Sequence, residues 1–125
     1  MEILVPISIG ELYDKFSILQ IKLDRIEDAE KLKNIEKEIG LLRDIANDNP
    51  IDKTFWYNLL GANAHLWEQE DLIRLKESKR EFDEEFTDIA KEIYHTNDRR
   101  FAIKKQINET YKSGIVEEKS YEKYV

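Results

Sequence analysis

The chain has 125 residues, no cysteine and a net charge of −7 at pH 7, which suits one core in a single domain spanning 1–125. Acidity argues against a general nucleic-acid binder, and the lack of cysteine removes disulfides, thiolate metal sites and Cys nucleophiles and fits a reducing cytoplasm. Charged residues make up 38% and apolar ones 41%, with four Gly and two Pro, a balance for helices with a narrow buried stripe rather than a turn-rich β fold.

Met1–Pro6 lacks the basic region and the long apolar run of a signal peptide. No stretch approaches the roughly 20 apolar residues of a membrane span. Glu2–Ile7 is β-branched and carries Pro6, so it reads as a short extended segment or edge strand. Ser8 and Glu11 fit a capping box that opens a first helix over about Ile9–Ile26. Leu12, Phe16, Leu19, Leu23 and Ile26 form its stripe, while Ile18 and Ile21 fall on the far side. A helix apolar on two faces is central in a bundle or part of an oligomer interface. Asp28 caps a second helix over about Ala29–Ala46, with Leu32, Ile35, Ile39 and Leu42 inward and Leu41 and Ile45 widening the apolar face. The short connection implies an antiparallel hairpin.

Asn47–Pro50 breaks the pattern. A third helix starts at Asp52 or Thr54 and runs to about Ser78. Phe55, Leu59, Leu66 and Ile73 mark its core line, and Trp56, Leu60 and Trp67 widen it. Asn63, Glu70 and Arg74 fall inside that arc and need partners. After a polar turn near Glu77–Glu81, a fourth helix carries Phe82, Phe86, Ile89 and Ile93. Continued without a break, it would place Asn97, Arg100 and Lys104 in its own apolar stripe. The conflict predicts a kink or turn at Thr96–Asp98 and a fifth helix over about Arg99–Lys112, stopped near Gly114. The tail Ile115–Tyr121 reads as extended and able to pair with Glu2–Ile7.

The most chemically specific stretch is Tyr94–Asn108. Asn97, Asp98, Arg99 and Arg100 at its junction face Asn63, Glu70 and Arg74 of the third helix, with Trp56 and Trp67 as walls. Arg supplies a bidentate fork, Asn and Glu read hydroxyls, and Trp stacks on a ring, a set suited to an anionic or sugar-like ligand. The competing structural reading is a buried polar network that fixes helix register.

Other patterns carry less. Glu92 and His95 have the spacing of a carboxylate-bundle metal motif, but two such motifs and two more Glu are required, and His65 has Ala62 three residues before it. Glu11/Asp14 and Glu68/Asp71 resemble helix-borne acidic pairs that hold Mg²⁺. Glu11 and Asp14 lie off the core stripe, so they read as a solvated face. Arg99, Arg100, Lys104 and Lys105 make a local basic cluster. Neither histidine has a serine or acid partner for a triad, and no glycine-rich phosphate loop is present.

Val5-Pro6-Ile7-Ser8-Ile9-Gly10-Glu11-Leu12-Tyr13-Asp14-Lys15, then Leu66-Trp67 with Glu70-Asp71, Tyr94–Arg100 with Lys104 and Ile107-Asn108, and Val116–Tyr121 together resemble a family of small bacterial and phage proteins that carries a domain-of-unknown-function label. The resemblance covers nearly the whole chain. It implies no activity, but it supports a single domain and a focus on Asn97, Asp98, Arg99 and Arg100. Phe16 and Phe101 replace smaller residues of the pattern.

The expected fold is all-α, an antiparallel bundle of four to five helices, with a minor strand pair from the termini as an option. The expected function is a cytoplasmic, non-enzymatic interaction or assembly module, a homodimer through the first or second helix. The alternative is binding or hydrolysis of a phosphorylated or sugar-containing small molecule at Asn63, Trp67, Glu70, Arg74 and Asn97–Arg100. No metal, cofactor, membrane or nucleic-acid partner is expected.

Overall fold

The computed structural model describes residues 1–124. Four helices follow one another: α1 Ile9–Arg25, α2 Ala29–Asp48, α3 Lys53–Ser78 and α4 Glu84–Thr110. Each begins where a side chain takes up an otherwise orphaned backbone N–H. Ser8 accepts from Glu11 at 3.1 Å, Asp28 from Lys31 at 2.9 Å, Asp52 from Thr54 at 2.8 Å and Asp83 from Phe86 at 2.9 Å. The capping box at α1 is half made, because the Glu11 carboxylate turns to Lys104 instead of Ser8. Phe82, expected inside the fourth helix, precedes its cap and packs edge-on against Phe86.

Two helices end alike. At α3 the Glu81 N–H donates to Lys76 O and the Arg80 N–H to Glu77 O, both at 2.9 Å, with Arg80 left-handed at φ 55°. At α4 the Ser113 N–H donates to Asn108 O at 2.8 Å, with Lys112 at φ 54°. This is the Schellman geometry that glycine usually serves. The stop foreseen at Gly114 thus comes two residues earlier, on a lysine.

α1 is central, packing against α2, α3 and α4, whereas α2 packs on α1 alone among the described helices. Tyr13 of α1 shares its hydroxyl proton between Ala46 O at 2.8 Å and Asn49 O at 2.7 Å, which ties down the end of α2. Leu19 of α1 packs with Ile35 and Ile39 of α2. A larger cluster joins Leu12, Ala46, Leu59, Ala62, Ile103 and Ile107 across all four helices. Cross-contacts fix direction. Asn63 meets Asp14 and Glu68 meets Arg25, so α3 runs with α1; Asn108 meets Gly10 and Arg100 meets Asp14, so α4 runs against it.

Three expectations are corrected. Among the described residues there are four helices, not five: α4 passes through Thr96–Arg100 unbroken. The polar residues that interrupt its stripe are met by polar groups on α1 and α3, so nothing forces a break. No strand occurs among the described residues. The tail turns back along α4 instead, with Lys119 over the Phe101 ring at 5.1 Å and Tyr124 against Tyr94 at 5.0 Å. Finally, Ile21 is not spare apolar surface but buried. No helix is long and apolar enough to cross a membrane.

Candidate functional site

α1 buries a second face that the apolar pattern hides. Gly10, Asp14, Ser17 and Ile21 are all buried and follow one another at helical spacing. Two of them are small, and α4 comes very close. A Cβ at Gly10 would lie 2.7 Å from Lys104 O and 2.8 Å from Asn108 Oδ1. Without it, the Gly10 N–H donates to Asn108 Oδ1 at 2.7 Å.

Asp14 is the hub, 2% exposed. Its Oδ1 takes Asn63 Nδ2 at 2.9 Å and lies 3.2 Å from Arg100 Nε, while Oδ2 is 3.8 Å from Lys104 Nζ. Asn63 also donates to Ser17 Oγ at 2.8 Å, and Ser17 donates to Asp14 O at 2.7 Å. A buried carboxylate is tolerable only with such partners. The reading of Glu11 and Asp14 as a solvated pair is therefore overturned. Asp14 lies off the apolar stripe because it faces α3 and α4, not water.

Lys104 extends the network to the tail. Its ammonium is 2.7 Å from both Glu11 Oε2 and Glu117 Oε2. Burial pulls Lys104 toward its neutral form, but the hydrogen bond to Glu11, the close pairing with Glu117 and the charge of Asp14 prevail and hold its pKa above the usual lysine range. The pairing with Lys104 in turn holds Glu117 below the usual carboxylate range despite some desolvation.

Beside this network lies a cavity of about 270 Å³ between α1, α3 and α4. Ile18, Ile21 and Leu66 form its apolar side, and Asn63, Trp67, Glu70, Asp71 and Arg100 contribute its polar side. Asn63, Trp67, Glu70 and Arg100 of the foreseen cluster are thus brought together. The others are not. Arg74 reaches into solvent and pairs with Glu70 at 3.1 Å. Asn97 and Asp98 face the tail, where Asp98 accepts from the Tyr124 hydroxyl. Arg99 lies on a separate shallow surface with Tyr57 and Asn58. Trp56 is not a wall of the site, since it packs between Tyr13 and Phe16.

Sequence reasoning named Asp14, Lys104 and Asn108 without joining them to the site, and missed Ser17 and Glu117. The usable signal was the spacing of Gly10, Asp14, Ser17 and Ile21, which marks a second buried face once small and polar residues are admitted to the stripe. Elsewhere, Gln69 donates to Glu92 at 2.7 Å and approaches His65 Nε2 at 3.0 Å. Among the described residues no three His, Asp or Glu side chains are grouped to hold a metal ion.

Residues 3–125 match a family of unknown function, DUF6165. No curated protein and no solved structure matches the chain.

Proposed function

We propose that this chain, which belongs to the DUF6165 family of unknown function, is a non-enzymatic assembly module that pairs with a second copy of itself. One observation carries the reading: an apolar arm lies beside an apolar groove on the same molecule. Ile3, Leu4 and Val5 of the arm are 77%, 92% and 66% exposed. The groove, about 650 Å³, lies between the arm itself, which lines one side with Ile3, Leu4, Val5 and Ile7, and Leu42, Ile45 and Tyr111 on the other. Leu41 and Ile45 of α2 are also half exposed. Contiguous exposed apolar surface of this kind is rare on monomers.

A two-fold dimer suits a molecule that carries both halves of the contact, because each arm can cover the other copy's groove. α2 is the helix to use, since its outer face has no neighbour among the described helices while α1 is enclosed. The exposed arm also offers unpaired backbone groups to a second strand. The absence of cysteine agrees with work in the cytoplasm.

Light scattering on the eluting protein at high micromolar concentration tests this. The expected mass is twice the 14.9 kDa of one chain. Leu4→Asp with Ile45→Glu returns it to one chain without loss of helical circular dichroism. A strict monomer overturns the reading.

A further inference from the structure

The geometry points to a second capacity, independent of self-assembly: the cavity between α1, α3 and α4 binds a neutral, polyhydroxylated ligand of about the size of a single sugar ring. Three features select that chemistry.

The first is a guanidinium paired with a buried carboxylate. Arg100 engages Asp14 through Nε at 3.2 Å, and the same side chain lines the cavity. The ion pair keeps the guanidinium at the cavity, and its planar set of N–H groups suits a pair of neighbouring hydroxyls. Asp14 is itself held by Asn63 at 2.9 Å, so the carboxylate that answers Arg100 is fixed in place.

The second is the pairing of acceptors with that donor. Glu70 and Asp71 line the same cavity. Glu70 is answered by Arg74 at 3.1 Å, whereas no described cation pairs with Asp71. A hydroxyl both gives and takes a hydrogen bond, so it can bridge the Arg100 fork and the Asp71 carboxylate. A carboxylate can only accept, and a phosphate, though it keeps a hydroxyl near neutral pH, carries negative charge that Asp71 repels. Around the cavity, Asp14 answers Arg100, and Glu11 and Glu117 answer Lys104. No positive charge is left over, so an anionic ligand has little to attract it.

The third is the wall. Trp67 presents an indole beside the aliphatic groups of Ile18, Ile21 and Leu66. An amphipathic ring can lay its C–H face on such a surface while its hydroxyls reach the polar rim. At about 270 Å³ the cavity is at the small end for ligand sites and excludes a dinucleotide-sized molecule.

The chain has two tryptophans, and only Trp67 lines this cavity while Trp56 packs on Tyr13 and Phe16. That contrast makes the test specific. The ¹⁵N-labelled full-length protein is titrated separately with glucose, galactose, mannose and N-acetylglucosamine to high millimolar concentration, and with inorganic phosphate as the anionic comparison. The indole signals are assigned with Trp67→Phe. The expected result is a saturable shift of the Trp67 indole with at least one sugar, no shift of the Trp56 indole, and no response to phosphate. Asp71→Asn, at an exposed position, leaves the fold intact and weakens binding by about ten-fold or more, the loss expected for one charged hydrogen bond. Arg100→Lys keeps a charge for Asp14 but loses the fork, and weakens binding similarly. Failure of all these sugars to shift Trp67, a Trp67 shift with phosphate instead, or undiminished affinity in Asp71→Asn overturns the proposal.

Discussion

Asp14 and Arg100 meet 3.2 Å apart, Oδ1 to Nε, between α1 and α4, and this contact explains how α4 stays unbroken through a stretch that reads as a junction. An unmatched Arg100 in the buried stripe would force the helix to turn aside. Matched by Asp14, it lets the stripe pass from Ile89 and Ile93 to Thr96, Arg100 and Lys104 without a change of direction.

The two partners are not equivalent, and their removal will show it. The Asp14 side chain is 3% exposed and that of Arg100 29%. Asp14→Ala leaves Lys104 and Arg100 beside an empty site and is expected to cost about 3–5 kcal/mol, the range for breaking a buried charged cluster. Arg100→Ala lets water reach the carboxylate, which keeps Asn63, and is expected to cost roughly half as much. Urea unfolding of both variants checks the order. The reverse order would make the guanidinium, not the carboxylate, the hub.

Glycine substitutions separate close approach from helix propensity. Gly10→Ala drives a methyl to 2.7 Å from Lys104 O, so either α1 shifts or the Gly10–Asn108 bond is lost. A destabilisation of about 2–3 kcal/mol is expected, as for overpacking. At Gly61 in α3 an added methyl would meet nothing within 4 Å. Gly61→Ala should therefore stabilise by about 0.5–1 kcal/mol, the helix preference for alanine. Thermal unfolding of the two variants should move in opposite directions.

What could be seen in the sequence divides by range. Caps act over two or three residues, so Ser8 and Asp28 placed two helix starts, and the choice of Asp52 or Thr54 placed a third to within two residues. The apolar stripe of α1 was equally plain. Partnership across ninety residues is not local: nothing near Asp14 announces Arg100, and nothing near Lys104 announces Glu11. The same residues that suggested a break in α4 suggest a continuous helix once those partners are known. Of the candidate site, Asn63, Trp67, Glu70 and Arg100 share a face and converge. Asn97, Asp98 and Arg99 do not, because a continuous helix spreads Asn97–Arg100 around its circumference, and Arg74 extends from α3 into solvent.

The Schellman ends offer a stabilising change. Arg80 and Lys112 hold φ of 55° and 54°, a conformation that costs a side-chain-bearing residue about 1–2 kcal/mol. Glycine removes that strain but adds freedom to the unfolded chain, which returns part of the gain. Arg80→Gly and Lys112→Gly are each expected to raise stability by about 0.5–1 kcal/mol in denaturant titrations. A loss at Lys112 would mean that its side chain, not its backbone, secures the start of the tail.

Acid should release that tail before it unfolds the helices. The 2.7 Å ion pair with Lys104 holds Glu117 below the usual carboxylate range. A carboxylate lowered in this way stabilises the docked tail above its ordinary pKa, and the effect is lost as pH falls through the lowered value. Lys104 is raised, burial being outweighed by Glu11, Glu117 and Asp14. Its contribution is present below the ordinary lysine pKa and is lost only as pH rises through the raised value. Between those limits both charges favour docking, so the tail should stay down through neutral pH and lift only under acid or strong alkali. Glu117→Gln should lift it at neutral pH with helical circular dichroism unchanged, because Glu117 lies outside α4 and Lys104 retains Glu11 at 2.7 Å. Backbone heteronuclear NOE values over Lys119–Tyr124 report the change. A tail that stays rigid in Glu117→Gln would shift the anchor to Tyr124 against Asp98 and Tyr94.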